Sequence, residues 1–414
     1  MLTRLTFSIA LATSVLFGTT ALAEETGPLQ IFVSKDTQSL VVYDGDQVVI
    51  TSNISTGKAG HTTPSGIFSI LEKRKTHFSN LYDSAPMPWM QRITWSGVAL
   101  HESAHVPRYP ASHGCVRMPA KFARTLWGMT RRGFHVVISD REVAPHAMTA
   151  ADLFKPRYPK PSPDLMSDAE LRPTIVSTTS VEVAMNETLP KLGATAIAAV
   201  PKDEAPVKIL ITRASDKDRA LTIQHMLTQL GYDVGDHDGI LGSKMRAAIK
   251  TYQEIHGQKP TGEMTAAFQR SVYKVMNRTL PTGWIYVRRN FKPLFDAPIE
   301  ISNPEIALGT HFIQAVHVNA AQNSVDWFGV TLDNYINDLA AKRLGITSTP
   351  DALAVDAAEQ AFARASIPND IRERIETILG NGSSITITDI GTEHETGLGT
   401  DFITVTRKSP KQEG

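Results

Sequence analysis

The 414-residue chain has one cysteine, Cys115, and it lies among other reactive side chains. His101 and His105 open the stretch, and Ser112-His113-Gly114-Cys115-Val116-Arg117-Met118 closes it. A thiol attacks a carbonyl as thiolate, and free cysteine is mostly protonated near neutral pH. A histidine within hydrogen-bond reach can take that proton. His113 sits two positions before the sulfur, and His101 lies upstream. Gly114 permits a tight turn, which can aim N–H groups at a developing oxyanion. Arg117 is a fixed positive charge, placed to hold a carboxylate or to orient the loop. Together these residues point to nucleophilic acyl transfer. Two rival readings exist. A lone cysteine is often a small buried hydrophobe. Alternatively His101, His105, His113 and Cys115 could hold zinc, but Pro107 and Pro110 oppose the helix that would put both histidines on one face.

The Ser112 to Met118 run, with His101 upstream, resembles the signature of the YkuD-type L,D-transpeptidases, which remodel bacterial peptidoglycan. Ser55-Thr56-Gly57-Lys58-Ala59-Gly60-His61-Thr62-Thr63-Pro64-Ser65-Gly66-Ile67-Phe68 is similar to the Thr-Pro-x-Gly-x-Phe region of that family. One departure is visible: Glu102 stands where the family usually has glycine after the first histidine. The resemblance implies that Cys115 attacks the third residue of a tetrapeptide stem and expels the terminal D-alanine. A second stem amine then resolves the thioester, forming a 3→3 cross-link. It assigns proton transfer to His101. His113 and Gly114 would orient the nucleophile and help form the oxyanion hole, and Ser112 would fix the loop. Arg117, Lys58, His61 and Tyr109 are the candidate substrate-binding residues. No metal or organic cofactor is expected. The acceptor could also be an outer-membrane protein amine, a D-amino acid or water. A non-catalytic wall-binding scaffold is the alternative from outside enzymology.

The elements that must position these residues read as strands. Leu29 to Val33 is one, and Ser39 to Ile50 is a hairpin about Asp44-Gly45. Gly66 to Ile70, Ser96 to Leu100 and Phe134 to Ile138 are others, with a short helix over Phe122 to Met129. Residues 71–95, rich in Met and aromatic side chains, read either as a cleft wall or as plain core.

The fold class expected is multidomain α+β. Residues 1–23 read as a secretory signal: Arg4, a short apolar run, then Ala21-Leu22-Ala23. Residues 28–140 form the β-rich catalytic domain and 141–210 a Pro/Ser/Thr-rich linker, with an isolated strand at Val207 to Ile211. Residues 215–276 resemble the type 1 peptidoglycan-binding domain, a three-helix bundle. Ile223, Met226, Leu227 and Leu230 share one helical face, and Met245, Ala248, Ile249 and Tyr252 share another. Its Asp/Gly loop lacks the terminal glutamate of a calcium-binding EF-hand. Residues 280–410 read as a mixed β/α C-terminal domain of structural or protein-binding role. Lys plus Arg and Asp plus Glu both total 42, so there is no electrostatic footprint for nucleic acid. Export with one cysteine leaves no internal disulfide, and the periplasm is the expected location.

Overall fold

The computed structural model describes residues 28–80, 84–157, 205–319, 322–392, 395–397 and 399–409. The secretory signal expected at 1–23 and most of the expected linker lie outside these residues. The elements run β1 (Gln30–Ser34), β2 (Ser39–Asp44), β3 (Gln47–Asn53), β4 (Gly66–Ser69), β5 (Glu72–Arg74), β6 (Met90–Arg92), β7 (Ala99–Glu102), β8 (Val116–Met118), α1 (Ala120–Met129), β9 (His135–Ser139) and β10 (His146–Met148). Then come β11 (Lys208–Arg213), α2 (Asp216–Gln229), α3 (Ser243–Ile255), α4 (Ala266–Val275), β12 (Gly283–Arg289), β13 (Lys292–Ile301), β14 (Thr310–Asn319) and β15 (Ser324–Leu332). The last are α5 (Asp338–Leu344), α6 (Ala357–Ala363), β16 (Ala365–Ser366), α7 (Asn369–Glu376), β17 (Ser384–Thr388) and β18 (Thr404–Val405). Among the described residues no helix is long and apolar enough to cross a membrane.

The region expected to be catalytic is built from a six-stranded sheet, in order β18-β4-β9-β1-β2-β3, and a four-stranded sheet, β5-β6-β7-β8. The β2–β3 hairpin turns at Gly45, whose φ of 60° is a conformation that favours glycine. Ile31, Val33, Phe68, Leu100, Val116 and Leu126 meet in the core between the sheets and α1. Fully burying one such side chain is worth about 1.5–3 kcal/mol, so this core rigidly seats the short strands that carry the reactive residues.

The eight-stranded sheet runs β10-β15-β14-β17-β11-β12-β13-β16. It corrects the expected domain limits in three places. First, residues 146–157 are not linker: Met148 pairs with Trp327 across β10 and β15, and Trp327 Nε1 donates to Phe154 O at 2.9 Å. Met148, Leu153 and Phe154 are buried, and three well-placed apolar side chains outweigh a proline-rich composition. Second, the strand at Val207 to Ile211 is not isolated. It is β11, parallel to β17 and antiparallel to β12, near the centre of the sheet. The helical module is therefore an excursion between two neighbouring strands. Third, β18 leaves the C-terminal region and pairs with β4 of the catalytic sheet.

The module itself forms as its periodicity predicts. Ile223, Leu227, Met245, Ile249, Tyr252 and Phe268 share one core. Ser215 and Asp218 make a reciprocal capping box at the start of α2. Two buried glutamines fix the loops. Gly239 N donates to Gln224 Oε1 at 2.8 Å, and Gly262 N donates to Gln253 Oε1 at 2.9 Å.

The two large sheets pack on each other through Phe32, Tyr43, Ile67 and Val137 on one side and Phe312, Val330 and Leu332 on the other. His135 lies buried there, with Nε2 2.8 Å from Ser384 Oγ. His311 is buried nearby in sequence to Phe312, bonded to Leu308 O at 2.7 Å and to Thr331 Oγ1 at 2.9 Å. Burial lowers the pKa of His311 to about 4 and that of His135 well below its usual value. Both are neutral when folded, whereas the unfolded chain protonates them as pH falls through about 6.5. Stability is therefore full above that pH and is lost as pH drops toward about 4, by up to ~3 kcal/mol for His311. Urea midpoints measured across this window are expected to fall steadily. A His311→Gln variant is expected to have a flatter profile.

Candidate active site

Strands β7 and β8 run parallel, with Leu100 opposite Val116 and His101 opposite Arg117. Ala99 therefore adjoins Cys115. Side chains alternate along strands, so His101 and Cys115 lie diagonally on one face. His101 is buried, and its Nδ1–H donates to Glu102 O at 2.7 Å. That bond leaves Nε2 as the proton acceptor. Burial lowers the His101 pKa to about 4, against the upward pull of the Glu102 carbonyl. The imidazole is thus neutral at physiological pH and able to take a proton. Glu102, the residue that departs from the family pattern, keeps regular strand pairing, and its carboxylate lies 3.7 Å from Arg124 of α1.

Cys115 is partly exposed, and its thiol donates to Gly97 O at 3.5 Å. Met87, Met90 and Ala99 pack around it. Met87 and Met90 of the Met-rich insert are thus buried core side chains on which Cys115 packs. Burial pushes the thiol pKa up, while a backbone hydrogen bond from Ala99 and the charges of Arg92 and Arg117 pull it down. The resting sulfur is protonated, so attack requires proton transfer.

Two segments distant in sequence shape the Cys115 loop. Ser112 Oγ donates to Cys115 O at 2.6 Å and accepts from Gly114 N at 3.1 Å. Gly114 has φ +117°. Its N–H is engaged by Ser112 Oγ. Residues 55–58 lie along this loop: Ser55 and Arg117 exchange backbone bonds at 3.0 and 2.9 Å, and Lys58 N donates to Ser112 O at 2.9 Å. Thr63 Oγ1 donates to Gly114 O at 2.8 Å and accepts from Gly57 N at 2.9 Å. A side chain on Gly57 would meet His61 O at 1.9 Å, which explains that glycine. Thr63→Val keeps the shape and removes both bonds, leaving two buried backbone groups unpaired. The expected result is a loss of about 2 kcal/mol in urea unfolding and roughly tenfold slower acylation.

The candidate substrate residues are spread over the rim. His113 is exposed, and its ring centroid lies 4.7 Å from that of His61. Desolvation first, then Lys58, His61 and Arg117, lowers its pKa. Lys58 and His61 are exposed, and Tyr109 is 60% exposed while its carbonyl accepts from Ser55 Oγ at 2.8 Å. Arg117 is half-buried beside β7. Sequence reasoning missed Arg92, Gly97 and the role of Thr63. Arg92 is paired with Ala99 across β6 and β7, which brings its charge within influence of the thiol, and no local spacing announces it. Thr63 was visible in the Thr-Pro motif. Among the described residues no three His, Cys, Asp or Glu side chains gather as a metal site.

A family model described as the L,D-transpeptidase catalytic domain, YkuD, matches residues 28–138. One described as a peptidoglycan binding domain matches residues 217–270. A solved L,D-transpeptidase from Xylanimonas cellulosilytica is 30% identical over 28% of this chain and 62% of that one, with a TM-score of 0.25. An L,D-transpeptidase (Yku) from Stackebrandtia nassauensis is 26% identical over 28% of this chain and 58% of that one, with a TM-score of 0.26. The L,D-transpeptidase from Mycobacterium smegmatis is 21% identical over 27% of this chain and 59% of that one, with a TM-score of 0.26. The chain thus spans about three fifths of each of these solved chains. No curated protein matches it. Residues 28–138 thus match the L,D-transpeptidase catalytic domain model, YkuD, and residues 217–270 of the same chain match the peptidoglycan binding domain model.

Proposed function

We propose that the chain is an exported cysteine L,D-transpeptidase that uses Cys115 as nucleophile on peptidoglycan tetrapeptide stems. The observation that carries this reading is the parallel pairing of β7 with β8, whose register puts His101 and Cys115, the residue just before β8, on one side of the sheet. His101 Nε2 takes the thiol proton as sulfur attacks the carbonyl of the third stem residue. The tetrahedral intermediate collapses, and the imidazolium returns that proton to the departing D-alanine amine. A thioester remains on Cys115. The amine of a second stem then attacks the thioester, forming the 3→3 amide and restoring the thiol. Arg117, Lys58, His61 and Tyr109 would hold substrate, and the helical module would keep the enzyme on the wall. Export through a cleaved leader to the periplasm completes the reading.

The test is mass spectrometry of the folded protein with a carbapenem. One covalent adduct on Cys115 is expected, absent in Cys115→Ala. A folded wild type with no adduct would favour a wall-binding scaffold. Muropeptide analysis then separates acceptors: loss of 3→3 dimers marks cross-linking, and loss of peptide-tagged membrane proteins marks protein attachment.

A further inference from the structure

The turn at residues 94–98 adjoins the sulfur, since Gly97 O accepts from Cys115 Sγ at 3.5 Å. The turn is braced from inside. Val98 N and Ser96 Oγ meet Thr94 Oγ1 at 3.0 and 2.9 Å, and Ile93 N donates to Val98 O at 2.9 Å. On its other side two successive N–H groups meet one carboxylate from the far end of the chain. Trp95 N donates to Glu395 Oε2 at 2.8 Å, and Ser96 N donates to Glu395 Oε1 at 2.9 Å.

Glu395 is itself held. Its carbonyl accepts from Thr400 Oγ1 at 2.8 Å, and Gly397 N donates to the same hydroxyl at 2.9 Å. Arg288 of β12 donates to Gly397 O at 2.6 Å and to Thr400 O at 3.0 Å. A few residues on, β18 is hydrogen-bonded into the catalytic sheet beside β4. The C-terminal segment thus ties the eight-stranded sheet, the active-site turn and the six-stranded sheet together.

We propose that Glu395 is a positioning residue for acyl transfer: its carboxylate clamps the 94–98 turn so that the Gly97 carbonyl holds the Cys115 thiol in one rotamer. The proposal rests on the reading of Cys115 as the nucleophile. It makes the C-terminal region part of the catalytic unit. A charge-assisted pair of bonds from a carboxylate to backbone N–H groups is suited to this, being stronger than neutral ones.

The experiment uses the full chain and the variants Glu395→Ala and Glu395→Gln. Two quantities are measured: D-alanine release from a disaccharide tetrapeptide, and the pH profile of Cys115 alkylation by iodoacetamide. Arg92 and Arg117, the charges facing the sulfur, are unchanged in both variants. Glu395→Ala is expected to slow release on the order of tenfold, mainly in kcat, because the thiol is no longer oriented. Its alkylation profile is expected to move to lower pH, because the S–H loses an acceptor that favours the protonated form. Glu395→Gln keeps one side-chain oxygen and is expected to fall between. If the alanine variant does not fold, as judged by circular dichroism, Glu395→Gln carries the same comparison. Wild-type rates and profile in the folded variants would overturn the proposal. Faster release would overturn it too, since Glu395 would then be occluding the site. A shifted alkylation profile in a protein that releases no D-alanine would fault the transpeptidase reading and leave the clamp standing.

Discussion

Cys115→Ala is expected to abolish D-alanine release and cross-linking, by at least about a thousandfold, while the protein stays folded. The reason is chemical. Among the described residues this is the sole thiol, and the neighbouring imidazole has nothing else to deprotonate toward a stem carbonyl. The structural cost is small, because the change removes one sulfur atom, its packing on Met87, Met90 and Ala99, and one long hydrogen bond to Gly97 O. Thermal melting should therefore hardly move. Cys115→Ser should be nearly as inactive, since a hydroxyl ionises far less readily than a thiol beside the same base. The wild-type enzyme should show the raised thiol pKa directly. Iodoacetamide labelling of Cys115 should be slow at neutral pH and climb as pH rises, because burial holds the sulfur protonated. Retained D-alanine release in Cys115→Ala would sink the assignment of the nucleophile.

Asp389→Ala is expected to cost about 3–5 kcal/mol of folding stability. Arg213 Nε lies 2.7 Å from Asp389 Oδ1, and the two side chains are 7% and 1% exposed. Asp389 also accepts the N–H groups of Leu308 and Gly309, both at 2.9 Å. Arg213 in turn donates to Pro304 O at 2.6 Å and Ile306 O at 2.9 Å. Removing the carboxylate leaves a buried guanidinium without its counter-charge and two N–H groups without an acceptor. Asp389→Asn keeps one acceptor and the shape, so it should lose less. Replacing both partners, as Arg213→Met with Asp389→Leu, should cost less than either single truncation, because no buried charge is left alone. Urea unfolding of the three variants checks the order. A double-variant loss equal to the sum of the Arg213→Met and Asp389→Leu losses would show that the pair is not coupled.

Much of the candidate site was legible because its chemistry is local. His113, Gly114 and Cys115 are adjacent, and Ser112 bonds within its own loop. The hairpin at Gly45 and the helices of the module were also written in short-range signals, a turn dipeptide and a 3.6-residue period. The pairing of residues 55–63 with the nucleophile loop was visible only as a motif, and its hydrogen bonds give the motif its reason.

The sequence by itself singled out the Cys115 loop, the β-rich character of residues 28–140 and the three-helix module. In each, neighbouring residues suffice to state the chemistry or the period. Tertiary structure alone decided that residues 146–148 and 208–213 join one sheet, that residues 404–405 return to the catalytic sheet, and that Arg92, Gly97 and Glu395 gather around one thiol turn. Strand pairing and backbone capping depend on which edges and N–H groups meet in space. Three-residue strands and single carboxylates carry no period from which that meeting could be read.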